Sequence, residues 1–218
     1  MNLKIDPDLC KRFPDLNVIN FSMTVKNTKS NSDLEKFKET ILKDAREKYN
    51  LESLKDVPVF RAYRDFFWMI GIDPTKNRPA AEALIRRILA GKPIPHINTL
   101  VDAYNLVSIK SEVALAVFDE NKLRCELTMR SALKEESFLG IGMDKPVDLG
   151  GREVVISDSD RLVAMYPHRD AGFSKVTEKT ENILIIICGV PGIPAETLQQ
   201  TAKTASEYIT RFCSGTII

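Results

Sequence analysis

The sequence has 218 residues, 44% of them hydrophobic, and its 31 Lys and Arg against 30 Asp and Glu give a net charge of +1. This is an ordinary composition for a globular protein with one substantial core or two small ones. Charge alone does not indicate a nucleic-acid partner, although a local basic patch would be compatible with one. No apolar run has the length of a membrane span, and no signal-peptide core is present. We expect a soluble, cytoplasmic protein with no membrane partner.

Cysteine and histidine are too sparse to predict a metal site. Four cysteines are spread along the chain, no CxxC pair occurs, and there are only two histidines. Because zinc sites need clustered Cys and His ligands, we expect no metal and no other cofactor. We interpret the thiols as reduced and mostly buried, as in a cytosolic protein. The residues concerned are Cys10, Cys125, Cys188, Cys213, His96 and His168.

The first part of the chain predicts one strand followed by three helices. Residues 17–25 are β-branched and aromatic with partial alternation, which is typical of a strand. Asn31 or Ser32 is placed to cap the first helix, and Glu35 completes a capping box with Ser32. Glycine and proline mark the bounds of the other two helices. The helices are predicted over 31–50, 57–71 and 79–91.

The stretch "PIPHINTLVDAYN" at 93–105 fits no simple pattern. Its polar residues are threaded among apolar ones at a spacing that suits neither an amphipathic helix nor a plain strand. Asn98 and Asp102 are residue types that bond to nearby backbone in turns, which predicts a structural role. Asn105 is a candidate for presenting both a donor and an acceptor to a ligand.

Short β-type runs dominate the rest of the chain. They are "SEVALAVFD", "KLRCELTMRSA", "REVVISD", "RLVAMYP" and "ENILIIICGV". The last is apolar throughout 183–188, which favours a central strand buried on both faces. Residues 194–213 predict a closing helix. We therefore predict an α+β fold in which a helical layer packs on mostly antiparallel sheets.

Basic residues concentrate between 61 and 92 and are interleaved with the aromatic residues of 63–68. Arginine suits phosphate because its planar fork binds bidentately. The alternative is a pair of amphipathic helices with arginine on the solvated side and aromatic residues in the core. The candidate phosphate contacts are Arg61, Arg64, Arg78, Arg86 and Lys92.

A polar segment, "YPHRDAGFSKVT" at 166–177, leaves the end of a predicted strand. Binding sites are often built on such loops. His168 can move a proton near neutral pH, and a neighbouring carboxylate can orient it. The alternative is a solvated hairpin loop. No P-loop, GxGxxG or GxSxG motif accompanies it.

Four stretches occur together in an order that resembles a known family. They are "INTLVDAYNLVSI", "ALAVFDENKL", "ELTMRSA" and "EVVISDSDRLVAMYPHRDAGFSKVTEKTENILII". The series resembles the B-three/B-four domain of the bacterial phenylalanyl-tRNA synthetase beta subunit, and the helices of 31–91 resemble those of its free-standing single-domain relatives. The resemblance implies a three-layer ββα sandwich. It implies one domain over 1–218, made of an N-terminal strand and helix extension at 1–56, the region of resemblance at 57–190, and a C-terminal helix at 194–213.

The resemblance also implies a pocket. Tyr104 and Asn105 fall where the family has a Thr-Asn pair beside its editing site. Ala116 falls where the family has a pocket histidine, and its pocket glutamate has no clear match. A pocket that reads the hydroxyl of tyrosine is therefore not implied. The remaining pocket residues are Thr128, Met165, Tyr166, Pro167, His168, Arg169 and Asp170.

The implied activity is hydrolysis, in trans, of the ester that joins a wrong amino acid to the 3′ end of tRNA. Asn105, His168 and Arg169 are then the expected catalytic groups. His168 would polarise water with Asp170 as its orienter, and Arg169 would contact a phosphate or another negative charge. The basic residues of 61–92 would contact the tRNA backbone.

The alternative is a non-catalytic module that binds tRNA or an amino acid, and alanine at position 116 is its best argument. No class II synthetase motif is evident, so we do not expect the chain to charge tRNA. The sequence does not indicate an oligomeric state.

Overall fold

The computed structural model describes all 218 residues and contains six α-helices and eleven β-strands. The helices are α1 Pro7–Arg12, α2 Ser32–Lys48, α3 Pro58–Met69, α4 Ala80–Leu89, α5 Thr99–Ser111 and α6 Ala195–Cys213. The strands are β1 Leu3–Ile5, β2 Ile19–Thr24, β3 Ala114–Asp119, β4 Leu127–Ser131, β5 Ser137–Phe138, β6 Val147–Asp148, β7 Val154–Ser157, β8 Leu162–Tyr166, β9 Arg169–Asp170, β10 Asn182–Cys188 and β11 Thr216–Ile217.

The strands form two main sheets. Sheet A has the order β1-β4-β7-β8-β9, and sheet B has the order β11-β2-β10-β3. Every neighbouring pair in them is antiparallel except β1 and β4, which are parallel. Helices α5 and α6 pack on sheet B. The predicted α+β class, with a helical layer on mostly antiparallel sheets, is therefore confirmed.

Strand β10 lies in the middle of sheet B because the side chains on both of its faces are apolar and must be buried. Residues 183–188 are all buried and pair with β2 on one side and β3 on the other. An apolar run of this kind is stable only where both faces of its sheet are covered. One cluster of 59 buried apolar residues extends from Leu3 to Cys213. The domain bounds given above stay a prediction.

The unusual 93–105 stretch contains the start of α5. Eight of the thirteen residues of α5 are buried, and the helix packs against α2, α4 and α6. A helix that is enclosed on most sides has no broad polar face, so its sequence lacks amphipathic spacing. For this reason the sequence pattern did not predict a helix here.

Short polar side chains satisfy the first turn of this buried helix. Asn98 accepts a hydrogen bond from the N–H of Val101 at 2.9 Å. Asn27 accepts from the N–H of Leu100 at 3.1 Å and from the hydroxyl of Thr99 at 3.0 Å. The free N–H groups of a helix start must be paired when they are buried, and these two asparagines do so.

Three further bonds tie the same region to its neighbours. The Asn27 amide donates to the carbonyl of Thr177 at 2.8 Å. Asp102, almost fully buried, accepts from the N–H of Ile97 at 3.1 Å and pairs with the His96 ring. Asn98 and Asp102 therefore have the structural contacts that were expected of them.

Two buried tyrosine hydroxyls hold the end of β10. Tyr63 of α3 donates to the carbonyl of Cys188 and accepts from the N–H of Ala114 at 3.0 Å. Tyr166, at the end of β8, donates to the carbonyl of Gly189. Backbone groups at a strand end would otherwise be buried without partners, which costs stability. The two rings thus fix α3 and sheet A to sheet B.

The structure differs from the sequence predictions in several details. Asn31, and not Ser32, caps α2, since its side chain accepts from the N–H groups of Asp33 and Leu34. Two of the four cysteines, Cys10 and Cys125, are exposed, so the expectation of mostly buried thiols was wrong for half of them. The short elements α1, β1, β5, β6, β9 and β11 were not predicted, because two to six residues are too few to show a period.

None of the six helices combines the length and the apolar character that a bilayer crossing requires.

The hydrogen bonds that Asn27 makes to Thr99, Leu100 and Thr177, here called the α5 clamp, predict the effect of replacing Asn27. In Asn27→Ala, two buried donors and one carbonyl lose their partner, so we expect the free energy of unfolding to fall by about 2 to 4 kcal/mol. Urea unfolding followed by circular dichroism measures the change. The comparison variant is Asn31→Ala, which removes the cap of α2 and a longer bond of 3.3 Å to the carbonyl of Phe212, both nearer the surface, and should cost about 1 kcal/mol. Equal losses in the two variants would contradict the α5 clamp.

Candidate functional site

A partly open cavity of about 190 Å³ lies where α4, α5 and the two sheets meet. Its walls come from the start of α4, the middle of α5, β3 and the end of β10 in sheet B, and the β7, β8 and β9 strands of sheet A. The lining residues are Ala80, Tyr104, Asn105, Ala114, Leu115, Ala116, Ile156, Ala164, Met165, Tyr166, Pro167, His168, Arg169, Asp170 and Cys188.

Strand register explains which sheet residues reach the cavity. In sheet A, Ile156 pairs with Ala164, and Ala164 pairs with Asp170, so all three side chains point to one face. In sheet B, Ala114 pairs with Cys188, and Ala116 lies two residues further along the same face. Alanine at three of these positions leaves space that larger side chains would fill.

The expected pocket residues are brought together with one exception. The cavity contains all of them except Thr128. On β4, Thr128 pairs with Ser157, whereas Met129 pairs with Ile156. Because alternate residues of a strand point to opposite faces, Thr128 faces away from the cavity. Its predicted place in the pocket is therefore corrected. The roles of the other residues stay predictions.

Asn105 and Tyr104 bring polar atoms to the helix side of the cavity. The Asn105 amide makes no hydrogen bond within the protein, so its donor and acceptor are both open to a ligand. The Tyr104 hydroxyl also lacks a protein partner. Burial, and to a lesser extent the nearby Asp170 and Asp102 carboxyls, raise the pKa of Tyr104, so the phenol stays protonated.

His168 sits in the turn between β8 and β9. Its ring meets the Phe67 ring edge-on, with 5.9 Å between centroids. Burial, assisted by the charge of Arg169, lowers the pKa of His168 from 6.5 to about 4, so the imidazole is neutral at neutral pH. No hydrogen bond joins it to Asp170. The expected pair, in which Asp170 orients His168, is therefore not formed.

Asp170 is the acidic group of the cavity. Its carboxyl makes no hydrogen bond and no ion pair within the protein, although it is partly buried. Burial raises the pKa of Asp170 from 3.8 to about 7. A carboxylate without partners is costly in an apolar enclosure, and this cost favours the protonated form.

Arg169 directs its charge away from Asp170. On β9 it pairs with Met165, so its side chain points to the opposite face of sheet A from Asp170. The chain of Arg169 lies over Gly140, where an added Cβ would come within 2.4 Å of Arg169 Cδ. Its guanidinium donates to the carbonyl of Ile141 at 2.7 Å. Arg169 borders the cavity, but its charged group is engaged by the loop outside it.

A second depression, the basic groove, lies on the surface of α4 and measures about 470 Å³. It contains five cationic residues and no acidic one. Such an arrangement suits a polyanion. The residues that line it are Leu51, Lys76, Arg78, Ala83, Arg86, Arg87, Ala90 and Lys92.

The predicted phosphate contacts divide between this groove and other places. Arg78, Arg86 and Lys92 line the groove. Arg64 lies outside it and donates to both oxygens of Glu82, a fully buried carboxylate, at 3.0 and 3.1 Å. Arg61 also lies outside it, 3.9 Å from the Asp56 carboxylate.

Glu82 is the hydrogen-bond partner of two arginines that were predicted to contact phosphate. Arg86 donates its Nε to Glu82 at 2.8 Å, so Arg64 and Arg86 share one buried carboxylate. A buried carboxylate needs such pairing. Because Glu82 carries one charge and faces two arginines, it offsets only part of their charge; the tRNA contact of Arg64 stays a prediction, although Arg64 lies outside the groove. Lys76 and Arg87 also line the groove.

Helix α4 connects the two depressions. Ala80, its first residue, lines the cavity, whereas Ala83, Arg86 and Arg87 line the groove. Ala83, Arg86 and Arg87 follow Ala80 by three to seven residues, which is about 5 to 10 Å along the helix axis. Pro79 gives α4 no side-chain cap, so the N–H of Ala80, the first-turn residue that lines the cavity, has no side-chain partner.

Sequence reasoning missed several wall residues. They are Ala80, Ala114, Leu115, Ile156, Ala164 and Cys188. Most are small or apolar residues that look like core in a sequence. The position of Cys188 at the end of the buried "ILIIIC" run was the one available signal, since sites often lie at strand ends.

One group of side chains has the spacing of metal ligands. Ligand atoms of Glu35, His96 and Asp102 all lie within 4.8 Å of one another. The hydrogen bonds of Asp102 to His96 and to the N–H of Ile97 account for this geometry as an anchor for the 93–98 segment.

The fold and the site define a layered α+β domain with a small, partly open pocket beside a basic surface. The family model for the B3/4 domain matches residues 62–216, well over half of the chain. The chain therefore belongs to the B3/4 domain family.

Two relatives carry the same type of domain. The chain is 23% identical over 129 residues to the phenylalanine–tRNA ligase beta subunit of Mycoplasma genitalium, a match covering 58% of this chain and 15% of that protein. The crystal structure of an N-terminal fragment of the phenylalanyl-tRNA synthetase beta subunit from Pyrococcus horikoshii matches with a TM-score of 0.51 and 14% identity, covering 99% of this chain and 50% of that chain. The chain thus spans half or less of either relative, and the structural likeness shows the shared fold.

The unpaired carboxyl predicts a pH-dependent gain in stability when Asp170 is replaced. Between pH 3.8 and about 7, the folded protein holds a proton on Asp170 that the unfolded chain has released, so this group's contribution to stability falls as pH rises through that window. Asp170→Asn removes the effect. We expect its free energy of unfolding to exceed that of the parent by about 1 to 3 kcal/mol above pH 7, with little difference near pH 4.

Urea unfolding at several pH values measures this difference. His168 acts in the opposite sense, since its lowered pKa makes stability rise with pH between about 4 and 6.5. That contribution is common to both proteins and cancels in the comparison. Asp148→Asn, at an exposed carboxyl on β6, is the matched control and should show no such trend. A constant difference at all pH values would contradict the assignment.

Proposed function

We propose that this B3/4 domain hydrolyses the ester of mischarged aminoacyl-tRNA, acting in trans as a free-standing editing domain. The observation that carries the proposal is the partly open cavity, with the free Asn105 amide in its wall, joined by one helix to the basic groove. The cavity suits the aminoacyl group, and the groove suits the phosphate backbone. We place the action of the domain in the cytoplasm.

The size of the cavity supports an amino acid as its occupant. A volume of about 190 Å³ lies below the roughly 300 to 1,000 Å³ that is common for pockets of drug-sized ligands, which favours a small occupant. The terminal adenosine would stay at the mouth while the amino acid enters. The apolar walls formed by alanines and Ile156 would hold its side chain.

The polar groups support ester hydrolysis. Water adds to the ester carbonyl carbon, and the resulting oxyanion collapses as the ribose oxygen leaves and takes up a proton. Donors aimed at the oxyanion speed such a step. The Asn105 amide and the N–H of Ala80 at the start of α4 are donors of this kind. Neutral His168 is placed to accept a hydrogen bond from the water.

The groove supports contact with tRNA. Five cations line it, of which Arg86 also pairs with the buried Glu82, and Arg78 and Arg86 lie within six residues of Ala80 in the cavity wall. The backbone phosphates of a single-stranded end of tRNA, or of the end of a tRNA helix, can then lie on the groove while the end of the chain reaches the cavity. Binding of this kind depends on charge and not on base sequence.

A non-catalytic binding module is the second candidate. The absence of a hydrogen-bonded acid–base pair in the cavity favours it, because His168 and Asp170 are not joined. Ala116, which lines the cavity where the family has a histidine, favours it too. In this case the same cavity would hold an amino acid or an aminoacyl group without cleaving it.

Deacylation of a panel of correctly and wrongly charged tRNAs tests the proposal. We expect faster hydrolysis of at least one mischarged species. Asn105→Ala should slow it by about a hundredfold, because a donor to the oxyanion is lost. Arg169→Ala should cost less, since that guanidinium is bonded to Ile141. Asn50→Ala, at an exposed asparagine, is the control. No acceleration with any tRNA would favour the binding module.

The basic groove predicts how the salt dependence of tRNA binding changes when its lysines are replaced. The double variant Lys76→Ala/Lys92→Ala should bind tRNA more weakly, and the slope of log affinity against log salt should become shallower by about 2. Filter binding or anisotropy at several salt concentrations measures it. Lys43→Ala/Lys203→Ala removes the same charge from other exposed positions and should leave the slope unchanged. The same slope in both double variants would exclude the groove as the tRNA contact.

A further inference from the structure

The protein leaves one carboxyl group of the cavity without a partner. Asp170 lies on the cavity face of sheet A beside Ala164 and Ile156. No side chain or backbone N–H of the protein bonds to its carboxyl. The residue is half-buried, so its carboxylate has lost part of its hydration without gaining a protein partner and can pair with a cationic group that enters the cavity.

The groups that face Asp170 do not balance its charge. Burial, and to a lesser extent the nearby Asp170 charge, raises the pKa of Tyr104 of α5 and of Cys188 of β10, so both are neutral. On the hairpin of Asp170 itself, His168 is neutral and Arg169 turns its guanidinium to Ile141. The cavity thus offers a carboxyl group and lacks a cation.

We propose that Asp170 binds the α-ammonium group of the amino acid or aminoacyl group that enters the cavity, so that the site requires a free amine. The inference rests on the proposed function for the identity of the molecule that carries the amine, but the pairing itself applies equally to a free amino acid. Asp170 is then a specificity-determining residue, while Asn105 and the start of α4 act on the ester.

An ammonium fits this position better than a neutral donor does. It supplies both the charge and the N–H groups that the Asp170 carboxylate lacks, and charge-assisted hydrogen bonds are the stronger ones. An N-acylated amino acid would offer one neutral N–H and would add bulk to a space of 190 Å³. The site should therefore reject aminoacyl-tRNA whose amine is blocked, such as N-formyl or peptidyl species.

A comparison of substrates tests this without altering the protein. A mischarged aminoacyl-tRNA that the protein hydrolyses is compared with its N-acetyl derivative, each corrected for spontaneous hydrolysis. We expect the acetylated form to react about tenfold to a hundredfold more slowly. Asp170→Asn should slow the free-amine substrate and bring the two rates close together. Equal rates for the two substrates with the parent protein would overturn the inference and leave the proposed hydrolysis standing.

A binding measurement covers the case in which no hydrolysis is seen. The probes are alaninamide, serinamide, leucinamide, phenylalaninamide and tyrosinamide, each with its N-acetyl derivative, followed by NMR shifts of the cavity residues. We expect at least one amide to bind, its acetylated form to bind at least tenfold more weakly, and Asp170→Asn to lose that preference. Asp148→Asn should keep it. No binding, or no preference for the free amine, would overturn the inference independently of catalysis.

Discussion

The enclosure of α5 is the constraint on which the rest of the structure depends. A helix surrounded by α2, α4, α6 and sheet B has no water to satisfy its first turn. Asn27 and Asn98 supply the missing acceptors and, through Thr177, tie the helix to the segment that precedes β10. With its start fixed, the next turn of α5 presents Tyr104 and Asn105 to the gap between the layers. The cavity is a result of that placement.

The hairpin of β8 and β9 contributes the other half of the site through its register. Asp170 and Arg169 are neighbours in sequence, yet one faces the cavity and the other faces the outer loop at Gly140. A shift of one residue would exchange a carboxyl for a guanidinium in the cavity and reverse its charge preference. The chemistry of the pocket is therefore determined by strand pairing as much as by residue type.

The sequence predicted the long elements well, because their patterns reflect burial. The apolar side chains of α2 recur at helical spacing at Leu34, Ile41 and Ala45, and the short, β-branched, unbroken apolar run of β10 favours a buried strand. It did not predict α5, since an enclosed helix lacks a polar face, nor β9, which has two residues. The family resemblance located most of the cavity walls, but no pattern in the chain could show that Thr128 faces outward or that Arg64 is paired with buried Glu82. Those facts depend on pairing register and on contacts between distant elements.

The unpaired Asp170 carboxyl has a consequence for the chain as a whole. Any molecule that pairs with the carboxyl in the folded state raises the free energy of unfolding by mass action. In a cell, the steady-state amount of the domain would then follow the supply of its ligand, because unfolded chains are removed by proteolysis. The Asp170 carboxyl would then affect both which ligand binds and how much of the protein accumulates at a given ligand concentration.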